Sequence, residues 1–245
     1  MASPARLYQQ EMHQNLGFFA TWFPGSPLEL GDVGMFEGGQ FRRASSLSDM
    51  EVPLSAVREG KRQNVSYSAS AKRSGTLATD AGLSAGVGQG ELTVSFSSEG
   101  GFVFEAVGLR CLEVADRSAM ADGILQLHHE GRWRREWVVI EALYIADSAT
   151  VLVSQEQASE IRLKAKANIP SGPLQLADPS LGLTVAASSG RVVHVLAGTD
   201  LRPLYSCARL RDPLFGNPSV VPVRGKATDS LQAMARPGLD ELLDS

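Results

Sequence analysis

The stretch ELTVSFSSEGGFVFEA, Glu91 to Ala106, alternates in character along its length. Leu92, Val94, Phe96, Phe102, Phe104 and Ala106 share one parity, and Glu91, Thr93, Ser95, Ser97, Glu99 and Glu105 share the other. A period of two is that of a β-strand with one buried face. The run reads as a single strand. A strand needs roughly nine to eleven residues to cross a bilayer, and this one is long enough to turn one parity to lipid.

Upstream, Val65, Tyr67, Ala69 and Ala71 alternate with Ser66, Ser68, Ser70 and Lys72, which predicts a half-exposed partner strand. Between the two lies Ser74 to Gly90, rich in glycine, serine and alanine and without an apolar face. Nearer the start, Asp32–Phe36 and Gln40–Ala44 read as strands joined by a tight turn at Gly38-Gly39, and residues 4–15 read as a short helix.

Downstream, Met120, Ile124 and Leu127 have helical spacing behind Asp116, an N-cap candidate, with Gly131 as the stop. Trp137 to Ala146 is apolar on both parities, as in a central strand covered on two faces, and Thr150–Val153 extends it. Ile161, Leu163, Ala165, Ala167 and Ile169 alternate with Arg162, Lys164, Lys166 and Asn168 up to Pro170. Leu183, Val185 and Ala187 alternate with Thr184, Ala186 and Ser188. Val192–Leu196 and Leu204–Leu210 read as a last strand pair around a turn at Gly198–Asp200. The expected class is α+β, a β-rich, twisted, mostly antiparallel sheet with a few short helices.

Past Pro213 the character changes. Pro213, Gly216, Pro218, Pro222 and Gly225 punctuate a linker over 213–228, and a tail over 229–245 follows. In it Leu231 and Met234, then Leu239, Leu242 and Leu243, form two amphipathic turns flanking Pro237. Residues 1–212 are read as one body.

At 43% hydrophobic and 20% charged residues the composition is globular, so patterning must specify the fold. The net charge of -4 and pI near 5.6 give no basic footprint for nucleic acid. Cys111 and Cys207 lie in apolar or alternating stretches and read as two buried thiols in a reducing compartment. The polar opening residues, with Glu11, lack the pattern of an export signal, and the expected location is cytoplasmic. No window reaches the roughly eighteen apolar residues of a spanning helix.

Sequence chemistry points away from catalysis. His13, His128, His129 and His194 fall in no metal-ligand spacing, so neither metal nor cofactor is expected. Gly86, Gly88 and Gly90 precede an alternating strand, not the helix of a dinucleotide site. No G-x-S-x-G or P-loop occurs, although a dispersed catalytic site stays open as an alternative. Arg132, Arg134 and Arg135 beside Trp133 and Trp137 form a basic-aromatic cluster suited to lipid head groups or an acidic partner, and Lys164 and Lys166 decorate a later strand.

Two strand pairs, Val65–Lys72 with Glu91–Ala106 and Ile161–Ile169 with Leu183–Ser188, flank the apolar strand Trp137–Ala146. In this order, together with Leu30-Gly31-Asp32-Val33-Gly34, Gly38-Gly39 and the closing stretch Pro203 to Leu210, the chain resembles the gasdermin family, above all its short bacterial members. The likeness spans about residues 16–212. It differs in one respect, since bacterial members usually carry a lipid-modified cysteine near the N-terminus and Met1 to Asn15 has none.

The resemblance implies a gasdermin N-domain-like body, not an enzyme, held inactive by its C-terminal tail. It implies a monomer that oligomerises at the plasma membrane after an activating protease acts, in bacterial defence or cell death. Val65, Tyr67, Leu92, Val94, Phe96, Phe102, Phe104, Ile161, Leu163, Leu183 and Val185 would then face lipid. Arg132, Arg134, Arg135, Lys164 and Lys166 would meet head groups, cleavage would fall at Arg224, Lys226 or Asp229, and Leu231, Met234, Leu239, Leu242 and Leu243 would form the inhibitory contact. The same strands would equally serve a β-rich interaction or scaffold module without membrane activity.

Overall fold

The fold is taken from a computed structural model, which describes residues 8–10, 12–13, 17–21, 27–54, 56–77, 90–166, 175–211 and 217–223. Antiparallel strands dominate. In chain order they are β1 (Phe19–Ala20), β2 (Asp32–Glu37), β3 (Gln40–Ser46), β4 (Val57–Glu59), β5 (Gln63–Ala69), β6 (Ala71–Leu77), β7 (Gly90–Phe96), β8 (Phe102–Val114), β9 (Val138–Ser154), β10 (Glu160–Lys164), β11 (Thr184–Ser189), β12 (Val192–Arg211) and β13 (Ser219–Pro222). One helix, α1 (Arg117–His129), separates β8 from β9.

A nine-stranded sheet has the path β1-β12-β9-β2-β3, with β13 on β12, and with β8 pairing β4, β5 and β9. A four-stranded sheet has the order β11-β10-β7-β6. The chain divides into two compact units. The first comprises Met1–Tyr8, Arg62–Leu109 and Ala146–Leu201, and the second the remainder, so β8, β9 and β12 each contribute residues to both.

In the second unit, β2 and β3 form a hairpin closed at Glu37↔Gln40, with Gly38 and Gly39 both at positive φ. That is the two-residue turn that the glycine pair predicts, because it requires left-handed backbone at both central positions. The Asp116 carboxylate accepts from the Ala119 N–H at 2.9 Å and caps α1, whose Met120, Ile124 and Leu127 are buried. These side chains join Val33, Leu47, Val139 and Leu210 in one core. A second core gathers Phe19, Phe36, Ile140, Tyr205 and Cys207.

Several expectations need correction. Val192–Leu196 and Leu204–Leu210 are parts of one strand, β12, and Gly198–Asp200 does not reverse it. Ala197 and Asp200 take positive φ within it, and the Ala197 N–H is held by Thr150 Oγ1 at 2.8 Å. Glu91–Ala106 is two strands, because Ser97–Gly101 leaves one sheet for the other. Part of the glycine-, serine- and alanine-rich stretch, Ser74–Leu77, belongs to β6, and β4 was not anticipated. Within 213–228, Ser219–Pro222 pairs with Ala208–Arg211 as β13 instead of lying in a linker, and the Val223 N–H donates to the Cys207 carbonyl at 2.8 Å. Cys111 is half-buried while Cys207 is fully buried, and both are free thiols. Of residues 4–15, Tyr8–Gln10, Met12 and His13 are helical and the others lie outside the described residues.

Candidate functional site

The first unit is built from two long hairpins, each folded back over itself. In the first, β5 pairs with β8 from Val65↔Ala106 to Ala69↔Phe102, and β6 continues with β7 from Ala71↔Phe96 to Leu77↔Gly90. Only Ser70 joins β5 to β6, at φ +51°, and its carbonyl accepts from the Ser97 N–H at 3.0 Å. One half of this ribbon lies in the nine-stranded sheet and the other in the four-stranded sheet.

The second hairpin does the same. The Gln155 N–H donates to the Arg191 carbonyl at 2.8 Å beside β9 and β12, and β10 pairs with β11 from Glu160↔Ser189 onward. Ala158 turns the corner at φ +55°. The two outer arms meet as β7 and β10, through Val94↔Ile161 and Leu92↔Leu163.

Each corner inverts the faces of the strand that passes it. Leu92, Val94 and Phe96 of β7 point into the core between the sheets, and so does Val103 of β8, although Val103 has the opposite parity. Phe102 instead meets the rings of Tyr8 and Tyr67, at 5.2 and 5.5 Å. Along the other hairpin, Ile161 and Leu163 of β10 point inward, but on β9 the inward residue is Leu152. Ser148 and Thr150 share its parity and donate to the carbonyls of Ala177 and Leu176, the latter at 2.6 Å.

A consequence is that polar residues enter the core. Glu105 lies on the polar parity of Glu91–Ala106, yet it is 4% exposed. Its carboxylate accepts from Arg73 of β6, from Ser66 Oγ of β5 at 3.1 Å, and from the Leu176 N–H. Beside it is a cavity of about 210 Å³, lined also by Asn64, Gln175 and Val107. Asn64 is engaged by the backbone, as its Oδ1 accepts from the Gly108 N–H at 3.1 Å.

Of the residues expected to face lipid, Leu92, Val94, Phe96, Phe102, Phe104, Ile161, Leu163 and Leu183 are buried, and Val65 and Tyr67 are half-buried. Val185 is 37% exposed on β11, an edge strand with no buried face. Lys164 pairs with Glu91 across β10 and β7 at 3.3 Å, and Lys166 is exposed.

The arginines around the tryptophans are partly occupied. Arg132 pairs with Glu130 at 3.3 Å, Arg134 stacks over Trp137 at 5.4 Å, and Arg135 is exposed. Trp133 and Trp137 meet edge to face at 5.7 Å. The cleavage candidates Arg224, Lys226 and Asp229 and the tail residues Leu231, Met234, Leu239, Leu242 and Leu243 lie outside the described residues. Among the described residues no group of three or more side chains could hold a metal ion, and no helix is long and apolar enough to cross a membrane.

Sequence reasoning missed Glu105, Ser148 and Thr150. Glu105 stands on the polar side of an alternating strand, where solvent exposure is the ordinary outcome, and Ser148 and Thr150 are polar residues in a strand read as apolar on both faces. Only the corners reverse it.

No protein-family model matches the sequence, and no curated protein matches it. Among solved structures, the chain is similar to one described as the cryo-EM structure of the gasdermin A3 membrane pore. The match covers 89% of this chain and 94% of that one, at 11% identity and a TM-score of 0.40.

Proposed function

We infer that the chain is an autoinhibited pore-forming protein whose two folded hairpins open into membrane-spanning ribbons. The observation that supports this reading is the inversion at the corners. Along β7 and β8 the apolar residues Leu92, Val94, Phe96, Phe102, Phe104 and Ala106 share one parity, interrupted only at the corner by Ser98 and Gly100, and the fold splits them between two faces. Along β9 and β10 the same holds for Ala149, Val151, Val153, Ile161, Leu163 and Ala165, with Gln155, Gln157 and Ser159 at the corner between them.

Straightening each corner would reunite these sets on one face. The opposite face would then be mostly polar, with Glu91, Thr93, Ser95 and Glu105 beside Val103 on one ribbon, and Ser148, Thr150, Ser154, Glu160, Arg162 and Lys164 beside Leu152 on the other. Apolar outside and polar inside is the pattern of a transmembrane barrel, and closure satisfies the backbone groups that lipid cannot. β7 with β8 runs from Gly90 to Val114 and β9 with β10 from Val138 to Lys164, each beyond the roughly ten residues a tilted strand needs.

In this reading, proteolysis at Arg224, Lys226 or Asp229 frees the tail, whose weak hold depends on tethering. Several copies then assemble on the lipid surface of the cell that contains them, as a defence or cell-death response. Arg132, Arg134, Arg135, Lys164 and Lys166 supply the first electrostatic contact with anionic head groups. The test is purified chain carrying an engineered protease site after Val223, mixed with dye-loaded anionic liposomes. Cleavage should release dye; liposomes that stay sealed at micromolar cut protein would reject the reading.

A further inference from the structure

We propose that the Arg73–Glu105 ion pair is an autoinhibitory clamp inside the body, a second gate that acts independently of the tail. It rests on the pore-forming reading for its consequence in membranes, but not for its effect on the hairpin itself.

The clamp is specific to the folded-over hairpin. Arg73 pairs across the ribbon with Val94, and Glu105 with Ser66. In a straight ribbon, Val94 and Glu105 are eleven residues apart, or roughly 36 Å at about 3.3 Å per residue. They would also lie on opposite faces, being of opposite parity. Arg73 can therefore reach Glu105 only while the corner at Ser70 is closed. A contact made in one state alone biases the equilibrium by its whole strength.

The geometry makes loss of the contact costly. Glu105 is almost wholly buried and its carboxylate is tied to three segments at once: Arg73 on β6, Ser66 on β5, and the Leu176 N–H between β10 and β11. Arg73 Nη2 also reaches Ser66 Oγ at 3.5 Å. Removing Arg73 leaves the Glu105 carboxylate buried without its cation, which costs more than the pair itself contributes. Arg73 has a further role in the straight state. On the face formed by Val65, Tyr67, Ala69, Ala71 and Arg73 with Leu92 to Ala106 of like parity, it is the charged residue, and lipid disfavours charge. The clamp thus engages, in the folded-over state, the same group that opposes insertion.

The experiment uses the intact chain, tail attached, with E105Q, R73Q and the swapped pair R73E/E105R. Hydrogen exchange without lipid is read over residues 63–77 and 90–109, with α1 as the internal reference. E105Q and R73Q should speed exchange in the hairpin about tenfold or more while α1 keeps its protection. The swapped pair should restore part of it. Unchanged hairpin exchange, or an equal rise in α1, would overturn the clamp.

The same proteins are then added to anionic liposomes. E105Q and R73Q should leak dye with the tail still attached. Leakage by the tail-cut chain but not by these variants overturns the second gate. If neither leaks, the pore-forming reading falls, and the exchange result alone decides whether the clamp exists.

Discussion

Tyr205 and Cys207 lie two residues apart on β12, fully buried, and burial pushes the phenol well above its usual 10.0 and the thiol well above its usual 9.0. Glu141, which pairs with Arg117 at 3.2 Å, adds to the upward push on the thiol. Both groups stay neutral in the folded state while the unfolded chain ionises, so their contribution is intact below pH 9 and is lost as pH rises toward the folded values. The expected slope is about 1.4 kcal/mol per pH unit for each ionising group. Urea midpoints measured across pH should stay level to about pH 9 and then fall. In C207A the fall between pH 9 and 10 should be shallower, with Cys111 contributing what remains, whereas parallel curves would contradict a buried thiol. Gly108 makes a second residue-scale case. At φ +64°, a Cβ there would stand 2.1 Å from Asp147 Oδ2, the partner of Arg62 at 2.7 Å. G108A should cost about 1–3 kcal/mol in urea unfolding, most of it backbone strain. D147A should cost under about 1 kcal/mol, because that ion pair is exposed.

At the level of the element, periodicity made most strands legible but not their facing. The β2–β3 turn could be read because two glycines mark left-handed backbone. The corner residues Ser70 and Ala158 take the same backbone region with ordinary side chains, so nothing in composition announces them, and the inversions they create stay hidden. Thus Leu92 to Ala106 could be recognised as one apolar set, while the burial of Glu105 could not be foreseen. Likewise Gly198–Asp200 looks like a turn, and it is the continuity of β12 that overrides the local signal. Corner strain can be tuned directly. S70V places a β-branched residue in left-handed backbone and should weaken the folded hairpin by about 1–2 kcal/mol, while S70G should strengthen it by about 1 kcal/mol or less. Dye release after tail removal should then be faster for S70V and slower for S70G than for the parent. Identical rates for all three would separate the corner from insertion.

For the whole molecule, the question is where the body ends and the tail that we propose is removed begins. A boundary after residue 212 follows from the prolines and glycines alone, but β13 shows that the sheet continues to Pro222 and that Val223 is buried against the core holding Tyr205 and Cys207. Prolines 218 and 222 do not prevent this, since an edge strand tolerates residues without an N–H. Two truncations with opposite outcomes follow. A chain ending at Val223 keeps β13 and should retain the far-ultraviolet spectrum and cooperative melting of the parent while gaining membrane activity. A chain ending at residue 212 exposes the edge of β12 and loses the half-buried Val220 and the buried Val223, the latter worth about 1.5–3 kcal/mol. Such a chain should melt at lower temperature, bind a hydrophobic dye and aggregate through the open strand edge. Circular dichroism and light scattering on the two proteins decide it. Equal stability would place β13 outside the body, and leakage by the shorter chain alone would mean that β13 is itself part of the restraint.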